Sequence, residues 1–251
     1  MNYKFLKPIH YEKSPAFIRF LKYSGEKAVT SNTIIKTFKP RRDWNFMDVG
    51  CGTGEVTVPI AKLVNRTTVI EPSLMMLKEF KKNAKSISNI KIIRKKIEEV
   101  NLKEEFDFIL ISHLLYFIKD WDKLFDKLLH SLKKCGYLVI ILHAKSGSYY
   151  NFLTKFQKLI DENIVIWNYL HAYKILKDKG LKPKNKIVKS SIVIPSIKEA
   201  LNLCPFFFEV PLNKLDKSIK EKMLNYFKLH QKNNNVVLNS IYGIVWIKKQ
   251  L

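Results

Sequence analysis

The segment Met47-Asp48-Val49-Gly50-Cys51-Gly52-Thr53-Gly54 sets three glycines at alternate positions straight after a short apolar run that begins at Asn45. Glycines at the turn from a strand into a helix admit positive φ and let a ligand touch the backbone. A dinucleotide fingerprint would need its third glycine one place later, where Glu55 stands. A carboxylate at that place also opposes a pyrophosphate at a helix N-terminus. No Gly-Lys-Ser/Thr follows, so the turn is not a P-loop. Glu71 closes the next β-branched run, 17 residues after Gly54. A carboxylate at that strand end suits both hydroxyls of a ribose, through charge-assisted hydrogen bonds. The plainer alternative is that Glu71 caps a helix beginning near Ser73. Turn, acid and strand order taken together read as a nucleoside site.

The elements that must position these residues follow from periodicity and punctuation. Ser14 and Pro15 open a first helix, and Ala28 to Thr37 forms a second that Pro40 ends. Strands are expected at Asn45–Val49, Thr67–Ile70, Ile90–Arg94, Phe106–Ser112 and Tyr137–His143. Helices are expected at Val56–Leu63, Ser73–Ala84 and Trp121–Lys133, the last stopped by Gly136. This alternation implies an α/β fold with a parallel sheet covered by helices on both faces. Further on, helices are expected at Ser148–Ile160, Trp167–Lys179, Ile197–Leu203 and Leu215–Leu229, and strands at Lys186–Ile194 and Val236–Lys248, the latter following a polar QKNNN turn.

The composition bounds the partners. The chain has 251 residues, enough for a core without disulfides or a structural metal. Lys plus Arg number 45 and Asp plus Glu 22, a formal charge of +23. Such a surplus fits a polyanion such as RNA. It equally fits the solvated faces of several helices, because the lysines alternate with apolar residues at helical spacing, and nucleic acid is the less favoured partner. Cys51, Cys135 and Cys204 form no CxxC pair, and His130, His171 and His230 fall singly in helical stretches, so no metal is expected. No apolar run approaches the ~20 residues of a membrane span. The opening MNYKFLKPIHYEK has no apolar core or cleavage site, which makes the cytosol the expected location; a monomer is the expected state.

The DVGCGTG turn and Glu71 resemble class I S-adenosylmethionine-dependent methyltransferases over about residues 44–145. The resemblance implies a Rossmann-like seven-stranded sheet whose last strand runs antiparallel. The cofactor, S-adenosyl-L-methionine, would be held by Asp48, Gly50, Cys51, Gly52, Gly54, Glu71, Pro72 and Ser112. A finer similarity to the histamine N-methyltransferase family runs through FIRFLKYSGEK, EPS, HLLYFIKD, HAKSGSYYNFLTKF and VVLNSIYGIVWI. It implies a small amine or imidazole-like acceptor, with His113 and Glu26 as catalytic groups. Tyr11, Phe17, Phe20, Glu26, His113, Tyr116, Phe117, Tyr149 and Asn239 would contact the acceptor. Residues 1–40 and an insertion at about 146–180 would form a lid on a methyltransferase domain of residues 41–251. His113 stands where that family has glutamine, Phe117 where it has a second tyrosine. The fourth-strand end, ISHLLYF, lacks the Asn/Asp-Pro-Pro-Tyr/Phe of base-amine and glutamine methylases. The alternative is an RNA or protein methyltransferase that uses its basic surface to hold the substrate.

Overall fold

The computed structural model describes residues 15–102, 105–160, 167–208, 210 and 212–250; Tyr11 lies outside them. In chain order the elements are α1 (Pro15–Tyr23), α2 (Glu26–Phe38), β1 (Asn45–Val49), α3 (Thr57–Ala61), β2 (Arg66–Ile70), α4 (Leu74–Asn83), β3 (Ile90–Ile93), β4 (Phe106–Ser112), α5 (Trp121–His130) and β5 (Leu132–His143). There follow α6 (Ser148–Ile160), α7 (Tyr169–Asp178), β6 (Lys184–Ile194), α8 (Ile197–Phe208), α9 (Lys217–Leu229), β7 (Gln231–Lys232) and β8 (Asn235–Lys248). The sheet runs β3-β2-β1-β4-β5-β8-β6, with β7 pairing β8 off this path. β1 pairs β2 and β4 in parallel, β2 pairs β3 and β4 pairs β5 likewise. Cys135 N donates to Lys249 O at one end of β5, and Ala144 N donates to Ile241 O just past the other. Partner numbers therefore fall as β5 advances, and β8 runs antiparallel to it.

The chain divides into two compact units. One comprises residues 27–142, 167–188 and 242–250 and holds the parallel strands. In β4, Phe108 and Leu110 enter one apolar cluster while Ile109 and Ile111 enter another. Both faces are thus covered, which is why the strand is apolar nearly throughout. Ile34 and Phe38 of α2 pack with Trp44, Phe46 and Phe108 in one cluster. Trp121, Leu124, Phe125 and Leu128 of α5 join Ala172 and Leu176 of α7 in the other. The chain runs outward from β1 to β3 and then restarts at β4 on the other side of β1. This puts the switch of strand order between β1 and β4, where ligands of open α/β sheets bind.

The other unit comprises described residues of 15–26, 143–160 and 189–241. Its core is aromatic: Phe20, Tyr149, Phe152, Phe156, Phe206, Phe207, Phe208 and Phe227 are all buried in one cluster. Two-residue Asn233-Asn234, with φ of 46° and 67°, closes the β7–β8 hairpin. Asparagine tolerates that left-handed geometry, and such turns match the strand twist.

Two expectations are corrected. The helix over Trp121–Lys133 ends at His130, and Leu132 already pairs Phe106 as the start of β5. The next partner of β5 is Tyr137 opposite Phe108, so Lys133–Gly136 bulge out, with Cys135 at φ 62°. Gly136 belongs to that bulge and is no helix stop. A Cβ there would lie 3.0 Å from Asp107 O and 3.0 Å from Lys133 O. The helix over Ile197–Leu203 continues through Pro205 to Phe208, because burial of the Phe206–Phe208 run outweighs the lost backbone donor of proline.

Phe152 is fully buried, with ring centroids 4.9 Å from Phe227, 5.1 Å from Phe156 and 5.3 Å from Phe208. Phe152→Ala is expected to lower stability to urea by about 3–5 kcal/mol. A loss under ~1 kcal/mol would mean that this cluster is not a cooperative core.

Candidate cofactor site and acceptor residues

β1 ends at Val49, and the turn that follows uses left-handed backbone at Gly50 (φ 78°), Gly52 (55°) and Gly54 (88°). A side chain would strain all three. Gly50 N donates to Ile70 O at 2.8 Å, tying the turn to the end of β2. A Cβ on Gly54 would meet the Phe80 ring at 2.6 Å, whereas one on Gly52 would meet nothing within 4 Å. Gly54 is therefore required by packing. Gly52 instead borders open space, where a ligand reaches the main chain.

Glu71 is buried and uses both carboxylate oxygens. Oε2 accepts from Gly52 N at 3.0 Å and Oε1 from Ser73 N at 2.9 Å. The helix-capping alternative thus holds in part: Glu71 secures the entry to α4. Ser73, the N-cap residue, accepts from Met76 N at 3.3 Å. The same carboxylate fixes the turn. A carboxylate oxygen can accept two donors, so these bonds are compatible with ribose hydroxyls. Pro72, half-buried, joins the two bonded residues.

Asp48 is 2% exposed. Its Oδ2 accepts from the buried Thr57 hydroxyl at 2.5 Å, and its Oδ1 has no partner among the described residues. Burial pushes its carboxyl up to about 7, against the Thr57 hydrogen bond and the charge of Lys27; Glu71 adds to the rise. Burial, with Asp48 and Glu71, pushes the Cys51 thiol well up, so Cys51 is no nucleophile at neutral pH. Ser112, ending β4, has a buried hydroxyl with no hydrogen-bond partner among the described residues. An orphaned buried carboxylate oxygen, an orphaned hydroxyl, a paired acid at the β2 end and open space over Gly52 suit a cationic nucleoside ligand.

His113 follows β4 with φ 53°, an uncommon geometry for a residue with a side chain. Its N–H donates to Ile141 O at 3.0 Å, its Nδ1 lies 3.1 Å from the Tyr116 hydroxyl, and the two rings stack at 6.0 Å. The Tyr242 ring lies edge-on at 6.2 Å, and its hydroxyl accepts from Thr30 at 2.8 Å. Phe117 sits edge-on to Tyr116 at 6.5 Å. His113, Tyr116 and Phe117 thus stand with the glycine turn in one unit. A Cβ on Gly50 would lie 3.0 Å from the side chain of Leu114, beside His113.

The remaining acceptor residues lie in the other unit. Glu26 is buried, and its Oε2 accepts from the fully buried Ser240 hydroxyl at 2.8 Å. It is not the surface helix acid that its sequence context equally allowed. Ser240 was not singled out by the sequence; its alternation with Asn239 on β8 is the signal that would have found it. Asn239 is exposed, and its N–H donates to Ser148 Oγ at 2.8 Å. Phe20 stacks on Tyr149 at 5.6 Å, His143 lies edge-on to Tyr149 at 5.5 Å, and Phe17 packs on Phe206 at 5.2 Å. His171 closes a capping box with Asn168, and His230 stacks on Tyr226 at 4.4 Å. Among the described residues no group of three or more His, Cys, Asp or Glu is placed to hold a metal ion.

A family model described as a methyltransferase domain matches residues 47–140, which contain the turn, Glu71 and Ser112. Residues 47–140 thus form a methyltransferase domain. The chain is 33% identical over 92 residues to a malonyl-[acyl-carrier protein] O-methyltransferase of Calditerrivibrio nitroreducens, a match covering 37% of this chain and 35% of that protein. The chain thus spans about a third of that relative. A ribosomal RNA small subunit methyltransferase A of Wigglesworthia glossinidia brevipalpis is 23% identical over 224 residues, 79% of this chain and 80% of that one. A Thermotoga maritima structure described as a possible histamine N-methyltransferase superposes with a TM-score of 0.59 at 17% identity, covering 96% of this chain and 99% of that one. That likeness is one of fold. The methyltransferase domain takes S-adenosylmethionine as its cofactor, and Glu71, Asp48, Ser112 and the backbone at Gly52 are the groups that fit it.

Two outcomes follow for the methyltransferase domain. Glu71→Ala is expected to weaken adenosylhomocysteine binding by about 1.5–3 kcal/mol in calorimetry, the range for hydrogen bonds to a charged group. Wild-type affinity in that variant would remove Glu71 from the site. Asp48 carries a raised carboxyl, so its share of stability is present below its unfolded value near 4 and is lost as pH rises through about 7. A cationic ligand needs the ionised form. Cofactor affinity is therefore expected to fall roughly tenfold per pH unit on acidification below 7, and Asp48→Asn to flatten that slope. A flat profile in the wild type would contradict the assignment.

Proposed function

We propose that this chain transfers a methyl group from S-adenosylmethionine to nitrogen of a small amine or imidazole-like acceptor. The observation that carries the reading is the buried Glu26 carboxylate, whose Oε2 accepts from the Ser240 hydroxyl at 2.8 Å. A buried carboxylate suits an N–H group of an acceptor through a charge-assisted hydrogen bond. Support also comes from aromatic residues close to Glu26 in sequence, Phe17 and Phe20, which suit cations and heteroaromatic rings. The β4 end, Ser112-His113-Leu114-Leu115, carries none of the prolines of base-amine methylases.

When bound, S-adenosylmethionine supplies an electrophilic methyl group on a sulfonium. The chain's part is to place a neutral nucleophile in line with it, and much of the rate in such a displacement comes from orientation. His113, held by Tyr116 and by its own unusual backbone, accepts the proton that an ammonium must lose. Glu26 is the proposed hydrogen-bond acceptor for the substrate's N–H group. Among the described residues no helix is long and apolar enough to cross a membrane.

A second reading, methylation of RNA, has one observation in its favour. Residues 78–96 hold eight basic residues and one acid, against 45 basic residues in 251 overall, and all eight are exposed. The two readings separate in one assay. With labelled methyl donor, a panel of small amines and imidazoles is expected to take up label while total RNA and protein do not. Label in RNA, falling steeply with salt, would replace the small-acceptor reading. Glu26→Gln is expected to raise the acceptor's KM by tenfold or more, roughly the loss of a charged hydrogen bond, with adenosylhomocysteine affinity unchanged.

A further inference from the structure

The glycine turn is held by more than its own strand and helix. α3, the helix it leads into, has only five residues and no side-chain cap. α4, by contrast, grips the turn from both of its ends. At its start, Glu71 joins Ser73 N to Gly52 N. At its last residue, the Asn83 side-chain amide donates to Thr53 O at 2.8 Å. Between them the Phe80 ring fills the space against Gly54.

The Asn83 bond acts on a peptide that is otherwise easy to turn over. Thr53 C=O and Gly54 N–H belong to one planar unit and point in opposite directions. The carbonyl is taken by Asn83, and the N–H donates to Cys51 O at 3.0 Å. A flip of this unit turns Thr53 ψ and Gly54 φ, and Gly54, at φ 88°, gives it the least resistance on one side. A flipped unit would release both bonds and reverse the dipole next to the cofactor.

We infer that Asn83, 30 residues beyond Thr53, is a positioning residue that locks the Thr53–Gly54 peptide in the orientation the cofactor requires. The inference rests on the assignment of the turn as the cofactor site. Asn83 is itself exposed, so its role is one of direction and not of core packing.

Calorimetry with adenosylhomocysteine tests this on the full chain with Asn83→Ala and Asn83→Gln. Asn83→Ala is expected to weaken binding about five- to tenfold, the loss of one neutral hydrogen bond, with a thermal midpoint within about 2 °C of wild type. Asn83→Gln keeps an amide donor at an exposed position and is expected to restore most of the affinity. A purely structural role would lower the midpoint and would not distinguish donor from non-donor. Wild-type affinity in the alanine variant, or equal losses in both variants, overturns the inference and leaves the cofactor assignment standing. Failure of the wild-type protein to bind adenosylhomocysteine overturns both.

Discussion

The carboxylate of Glu71 is the joint on which the cofactor half depends. One of its oxygens holds Gly52 and the other the entrance to α4. A turn with three left-handed glycines has little conformational preference of its own. Its shape must be imposed by neighbours, and a charged acceptor bonded to two backbone donors is a strong constraint. A ribose at the β2 end would meet the same group, so shaping the turn and recognising a nucleoside would be one task. Asp48 complements it from β1: a buried acid with one oxygen satisfied by Thr57 and one orphaned is an unfavourable arrangement alone. It becomes favourable once a cation arrives.

The division into two compact units separates these roles. The sheet unit carries the turn, Glu71, Ser112 and the His113–Tyr116 pair. The other unit carries an aromatic core and the Glu26–Ser240 bond. The family match ends at residue 140, before the second unit's residues from 143 onward begin. That match therefore leaves out β8, α6, α8 and the segment leading to Glu26.

The sheet and its glycine turn are legible in the sequence because they depend on local signals. β4 was bounded correctly at Phe106 and Ser112 by continuous apolarity, and the turn was found from glycine spacing. Other features depend on tertiary contacts that periodicity does not carry. The β5 bulge arises from the pairing of Leu132 with Phe106. The extension of α8 past Pro205 comes from burial of three phenylalanines against α6. Glu26 read equally as a surface acid until its partner, Ser240, far along the chain, was placed beside it. Asn83 gave no signal, since an asparagine at a helix end usually serves only as a cap.

The most direct measurement is a spectrum of the protein labelled with 15N-glycine. Its eight glycines give one amide signal each, few enough to assign. On titration with adenosylhomocysteine, the signals of Gly50, Gly52 and Gly54 are expected to shift together and saturate, with Gly136 and Gly180 unmoved. If those three stay in place, or move only with a nicotinamide or flavin nucleotide, the turn is not the seat of a sulfonium nucleoside.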